Sequence, residues 1–258
     1  MSLHPDIAAV LAGDSEGCIV TGDCRTIVPD LPDGCVDCVL ADPPYGIPVG
    51  AAFVRRAGTV IENGSGAYNE GATWEWLASV AWMRPGANLA IFHRRGDSPP
   101  QTVRPWHKFY LVKDAPPPTP RPTFVSAVEE CTIASTPGRR IWYGGGYVPN
   151  YWRGLTPNRL NQGHGHQAEK PEAAMAILVK VLSAPTHLIL DPFCGTGTTC
   201  VAAKTLGRRW IGIELDPKYA EIARRRVAST PRPLFDSADP ESSSSVAAEV
   251  GLFEEVTL

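Results

Sequence analysis

Short apolar runs bounded by turn residues alternate along the chain with longer segments of helical period. Cys18 to Thr21 is a β-branched run ending at Gly22-Asp23, and Val36 to Ala41 is another ending at Asp42-Pro43-Pro44-Tyr45-Gly46. Both predict buried parallel strands. Trp74 to Met83 has the spacing of a helix with Thr73 as N-cap, Arg84-Pro85-Gly86 reads as its stop, and Asn88 to His93 as the next strand. Between them, Ile47 to Ala72 is rich in Gly, Ala, Asn and Ser without period, which predicts a mobile, functional loop.

The second half is more regular. Lys170-Pro171-Glu172 opens a helix through Leu182, with Pro171 suited to a first-turn position. Strand Leu188 to Leu190, a glycine turn from Asp191 to Gly197, helix Thr198 to Leu206, strand Trp210 to Ile213 and helix Pro217 to Val227 complete a βαβα unit. The prolines of 96–122 and the Gly, Asn and Tyr content of 144–165 leave no room for a normal helix between Trp142 and His166. Beyond Leu234 the serine run Ser242 to Ser245 predicts disorder.

Composition narrows the class. With 258 residues, 43% of them hydrophobic, the chain can bury a substantial core, and no run approaches the roughly 18 apolar residues of a membrane span. Met1 to Gly13 lacks the pattern of a signal peptide, so a cytoplasmic location is expected. The seven cysteines are an odd number in a chain that needs no disulfides, and are read as reduced thiols. Cys35 and Cys38 have CxxC spacing, but without a second pair of ligands they read as core, and no metal site is expected.

A net charge of −3 does not advertise nucleic-acid binding, so any such contact must come from local basic segments. Arg55-Arg56, Arg94-Arg95, Arg104 to Lys108 and Arg139-Arg140 are the candidates, the last two interleaved with or followed by aromatic rings. Singly, each is more often a solvated face; together they suggest a groove.

The chemistry concentrates in two places. Leu188-Ile-Leu-Asp-Pro-Phe-Cys-Gly-Thr-Gly-Thr-Thr199 runs an apolar strand into a glycine turn and a helix, and glycine lets backbone approach a ligand closely. A Gly-x-Gly turn alone is weak. Here the next strand ends at Glu214, 23 positions after Asp191, close to the spacing at which an acidic residue meets a ribose. The missing third glycine and the absence of Gly-Lys-Ser/Thr argue for a nucleoside cofactor without phosphates. The second place is Asp42-Pro43-Pro44-Tyr45: a carboxylate and a proline-held carbonyl can accept the two N–H donors of an exocyclic amine while a ring stacks on the base.

Asp-Pro-Pro-Tyr followed later by Asp-Pro-Phe-Cys-Gly-Thr-Gly resembles the amino-methyltransferases of DNA, in the group whose catalytic motif precedes the cofactor motif. The resemblance covers about 19–46, 74–93 and 166–227. It implies an α/β, Rossmann-like S-adenosylmethionine-dependent methyltransferase fold: a seven-stranded, mostly parallel sheet with helices on both faces, in permuted motif order. It implies one catalytic domain over 1–230, with a small target-recognition insertion around 139–164 and a tail over 231–258.

By resemblance, Asp42 and the Pro43 carbonyl, braced by Pro44, polarise the target amine and Tyr45 stacks on a flipped base. Asp191, Pro192, Phe193, Cys194, Gly195, Thr196, Gly197 and Thr198 resemble the S-adenosylmethionine turn, with Glu214 and Leu215 at the ribose. Lys170 and Pro171 match a helix start near the methionine end of the cofactor, and Asp23 with Cys24 the surroundings of its adenine. No metal or cysteine nucleophile is implied.

Arg55, Arg94, Arg139, Arg140, Arg153 and Arg159 are the arginines placed to reach phosphates or guanine edges of double-stranded DNA. The small reading segment predicts a short recognition sequence and allows a homodimer, and the family includes restriction-modification methylases. Asp before Pro-Pro-Tyr favours adenine N6 over cytosine N4. Cytosine N4, RNA or a protein amide, and a fold-retaining binding protein stay open as alternatives. In the tail, Leu234-Phe235 and Leu252-Phe253 resemble peptides that dock on the replication sliding clamp, although packing back on the parent domain is the preferred reading.

Overall fold

The computed structural model describes residues 3–44, 75–93, 99–114, 127–157 and 169–231. The loop expected at 47–72, together with Tyr45, Arg55, Arg94, Arg159 and the tail beyond 231, lies outside the described residues.

Eight strands form a single sheet: β1 (Gly17–Thr21), β2 (Val36–Ala41), β3 (Met83–Phe92), β4 (Arg104–Lys113), β5 (Val128–Ser135), β6 (Tyr151–Gly154), β7 (Leu188–Asp191) and β8 (Arg209–Glu214), in the spatial order β1-β8-β7-β2-β3-β5-β4-β6. Among the described residues, only the pairings of β5, with β3 and with β4, are antiparallel. The described residues therefore hold one strand more than the seven that the resemblance implies. The additional edge strand is β6, whose residues Tyr151 to Gly154 pair with Tyr110 to Lys113.

Helices α1 (Pro5–Ala12), the single turn α2 (Cys24–Ile27), α3 (Glu172–Leu182), α4 (Thr198–Thr205) and α5 (Pro217–Ser229) flank this sheet. Side chains alternate across a strand, and the two faces bury separate cores. Leu40, Phe92, Cys131 and Ile189 join Leu178 and Val201 under α3 and α4 on one face, whereas Val39, Ile91, Leu190 and Ile211 join Ile7 and Val10 of α1 on the other. Cys35 is half-buried and Cys38 buried; loss of solvent raises both thiols, that of Cys35 to about 11. Among the described residues no group of three His, Cys, Asp or Glu is arranged to hold a metal ion, and no helix is long and apolar enough to cross a membrane.

The helix expected over Trp74 to Met83 is corrected. Glu75–Leu77 is one 3₁₀ turn, and β3 begins at Met83. Backbone bonding explains the difference, since Gly34 N–H donates to the Ala81 carbonyl and Val36 N–H to that of Trp82. Those bonds draw the segment alongside the start of β2, where it leads into β3. Arg84-Pro85-Gly86 then lies within β3, where the ladder jumps from Val36↔Met83 to Cys38↔Asn88 and no N–H is required of Pro85.

Candidate active site at the carboxyl edge of the sheet

Ligands of open α/β sheets gather beyond the carboxyl ends of parallel strands. Here β1, β8, β7 and β2 are consecutive neighbours; β8 and β7 end at Glu214 and Asp191, and Asp23 and Asp42 follow two residues and one residue past the ends of β1 and β2. Residues far apart in sequence thus share one edge. The alignment is direct, with Thr21 opposite Glu214, Asp191 opposite Gly212, and Val39 opposite Leu190.

The glycine turn after β7 is held from three directions. Asp191 is buried and its carboxylate accepts the Phe193 N–H at 3.0 Å. Burial pushes this carboxyl up to about 7, against the hydrogen bonds from Thr199 and Phe193. Glu214 accepts Gly195 N–H on Oε2 and Asp216 N–H on Oε1, both at 2.8 Å, while burial holds its carboxyl above the usual range. From α5, Arg226 donates to the Thr196 carbonyl at 2.9 Å and its hydroxyl at 3.1 Å, to Thr198 Oγ1 at 3.3 Å, and pairs with Glu169 at 3.1 Å. The hydroxyls of Thr196 and Thr198 therefore meet the protein's own guanidinium.

Two glycines in this turn have different reasons. Gly197 sits at φ +86°, where an added Cβ would lie 2.9 Å from the Ala223 Cβ. Gly195, at φ +52°, has nothing within 4 Å of such a Cβ, which leaves its backbone open to an approaching ligand. Pro192 and Cys194 are buried. Cys194 lies in one cluster with Cys200, and its thiol is raised by the hydrogen bond it donates to Cys200 and by burial.

Asp23 caps α2 by accepting Arg25 N–H at 2.9 Å, and Arg25 Nη2 pairs with it at 2.7 Å. Cys24 is buried beneath it, and Leu215 is half-buried at the end of β8. Asp42 is half-buried, Pro43 buried and Pro44 exposed. Lys170, only 8% exposed just before α3, donates Nζ to Asp42 Oδ2, and Pro171 is the N-cap of α3. The helix start expected near the cofactor thus also reaches the Asp42-Pro43-Pro44 segment.

The arginines separate. Arg153 lies on β6 opposite Val112, near the carboxyl end of β4, and pairs with Asp114 at 2.6 Å. Arg139 instead lies against Gly86 early in β3, so close that a Cβ at Gly86 would meet the Arg139 carbonyl at 2.2 Å. Its neighbour Arg140 stacks over Trp106 at 4.0 Å. Six residues of β3, about 20 Å at strand rise, separate Gly86 from Phe92 beside Asp42.

Sequence reasoning passed over Trp76, whose ring meets Phe193 edge-on at 5.7 Å, and Glu129, which pairs with Lys170 at 3.2 Å. One of three tryptophans within an apparent helix and one of two acids in Val128-Glu129-Glu130 carried no signal to mark them.

Residues 137–225 match the family model described as DNA methylase. The chain is 27% identical over 241 residues to the protein YubD of Escherichia coli (strain K12), named as a methylase, covering 85% of this chain and 93% of that one. Over 62 residues it is 45% identical to the Type II methyltransferase M.HinfI of Haemophilus influenzae, which is 24% of this chain and 17% of that protein. In fold it is similar to M1.HpyAVI in complex with SAM (TM-score 0.60, 23% identity, 82% of this chain and 98% of that one). It is similar also to the cytosine-N4-specific PvuII DNA methyltransferase (TM-score 0.60, 16% identity, 92% and 93%). The glycine turn after β7 lies inside the matched segment, and Asp42 to Pro44 lie at the same edge of the fold shared with these proteins.

Proposed function

We propose that the protein transfers a methyl group from S-adenosylmethionine to N6 of adenine in double-stranded DNA. The observation that carries this reading is the adjacency of Asp42, at the end of β2, and the glycine turn at the end of the neighbouring β7. An amine-binding motif beside a nucleoside-binding turn is what direct methyl transfer requires.

The donor set suits the cofactor. Glu214 offers carboxylate oxygens of the kind that accept ribose hydroxyls, and Gly195 leaves backbone open beside it. When bound, S-adenosylmethionine supplies a methyl group already activated by the positive sulfur.

The residues then have to align and to handle one proton. The Asp42 carboxylate and the Pro43 carbonyl accept the two N–H bonds of the amine and aim its nitrogen. Methylation makes that nitrogen cationic and acidic, so Asp42 takes a proton after transfer and need not be a strong base. Tyr45 as the stacking ring is carried over from the family motif. Arg153, on the same edge as Asp42, is the described arginine we assign to DNA phosphate.

The adenine assignment rests on Asp42 heading the tetrapeptide. The test is to incubate the protein with unmethylated DNA and labelled S-adenosylmethionine, digest the product and identify the nucleoside by mass spectrometry, with Asp42→Ala in parallel. N6-methyladenine reduced by about 10²-fold or more in the variant supports the reading. N4-methylcytosine would reverse the base, and no methylated nucleoside despite cofactor binding would overturn DNA as the substrate.

A further inference from the structure

Four alternating charges run along the carboxyl edge next to the amine site. Lys113 at the end of β4 pairs with Glu129 near the start of β5, Glu129 with Lys170 at 3.2 Å, and Lys170 with Asp42. Topology sets up this row. Strand β5 runs against its neighbours, so its first residues, not its last, reach the edge where β2, β3 and β4 end. Period two then puts the side chains on one face: Asp42 is two residues after the buried Leu40, Glu129 two before Cys131 and Lys113 two after Leu111. Lys170 enters over the Phe92 ring, 4.9 Å from its centroid.

Lys170 is a buried ammonium between two carboxylates. Burial alone would lower its pKa, but Asp42 and Glu129 together hold it above the ordinary lysine value. Burial likewise works against Glu129, yet Lys170 and Lys113 keep its carboxyl below the usual range. Both groups thus stay charged across the neutral range. The groups that face Lys170 are Asp42 from β2, Glu129 from β5 and the ring of Phe92 from β3, with Cys131 near enough to feel its charge and Lys113 beyond Glu129.

An ammonium held by Asp42 alone would collapse onto the carboxylate that must also accept the target amine. Shared with Glu129, it supports Asp42 from one side. Resting on the methyl-transfer reading above, we propose that Glu129 is a positioning residue for the reaction, acting through Lys170 to hold the Asp42 carboxylate in the orientation that receives the amine.

The test is Glu129→Gln in the full chain beside wild type, with Glu129→Asp as the conservative variant. Small misplacements of aligned groups cost up to about a hundredfold, so kcat for Glu129→Gln should fall about ten- to a hundredfold. The calorimetric Kd for S-adenosylmethionine should stay within about twofold. Having lost one carboxylate partner, Lys170 should release its proton at lower pH, seen by NMR of the cofactor-free protein with ¹³C-labelled lysine. The alkaline limb of the kcat profile should move the same way. Glu129→Asp should give an intermediate kcat with the alkaline limb near its wild-type position. Unchanged kcat in Glu129→Gln, or a loss of cofactor affinity that matches the loss of rate, would overturn the proposal. If Glu129→Gln does not fold, a wild-type kcat in Glu129→Asp overturns it instead. A wild type that methylates no DNA would sink the proposed function and this inference with it, whereas an active wild type beside an unaffected variant sinks the inference alone.

Discussion

Gly195 gives its backbone N–H to Glu214 Oε2 at 2.8 Å, so the acid that ends β8 also fixes the turn that follows β7. The other oxygen of Glu214 takes the Asp216 N–H at the same distance. Glutamine can accept one of these bonds but not both with its amide oxygen and nitrogen in place. Glu214→Gln should therefore lose about 1–3 kcal/mol of stability and weaken S-adenosylmethionine binding, measured by urea unfolding and calorimetry. A variant as stable as wild type would show that the turn does not depend on this carboxylate.

Asp191 makes stability depend on pH in an unusual direction. Its carboxyl rises from the ordinary 3.8 to about 7 on folding, chiefly through burial. The folded chain therefore keeps a proton that the unfolded chain gives up. This group's contribution is most favourable at low pH, declines as pH rises from about 4 to about 7, and is flat above. The full decline corresponds to about 4 kcal/mol at most. Urea unfolding at pH 5 and pH 8 should show wild type losing stability relative to Asp191→Asn over that interval; parallel curves for the two proteins would refute it.

The two glycines of the turn should separate folding from binding. Gly197→Ala combines a positive φ of 86° with a Cβ placed 2.9 Å from Ala223 Cβ, so thermal melts should show a loss of about 1–3 kcal/mol. Gly195→Ala has open space around its Cβ and should melt closer to wild type, while calorimetry shows the larger loss of cofactor affinity. The reverse ranking would mean that Gly195, not Gly197, is the packing position.

Arg153 and Arg139 offer a test of which edge meets DNA. Removing one phosphate contact weakens binding across sequences and lowers the salt slope by about 1. Arg153→Ala should do this, and Arg139→Ala, whose residue lies against Gly86 near the amino end of β3, should leave the slope unchanged in fluorescence titrations over a salt series. Equal effects would place duplex on both edges.

The sequence by itself determined the local chemistry: the strand-to-glycine turn at Asp191, the acid 23 positions later, the Asp-Pro-Pro-Tyr motif and the helices from Lys170 onward, because apolar period, proline and glycine act within a few residues. It misread 74–83 as helix, since backbone bonds from Gly34 and Val36, some 47 residues upstream of the carbonyls they reach, decide that segment. It left β4, β5 and β6 unassigned; β4 buries only Phe109 and Leu111 and β6 no residue, so polar positions obscure their period.

Only the tertiary structure decided which charges meet. Lys170 lies 128 positions from Asp42, and Glu129 reaches them because β5 runs antiparallel. Strand order and direction set such encounters, and neither is written in the spacing of residues along the chain.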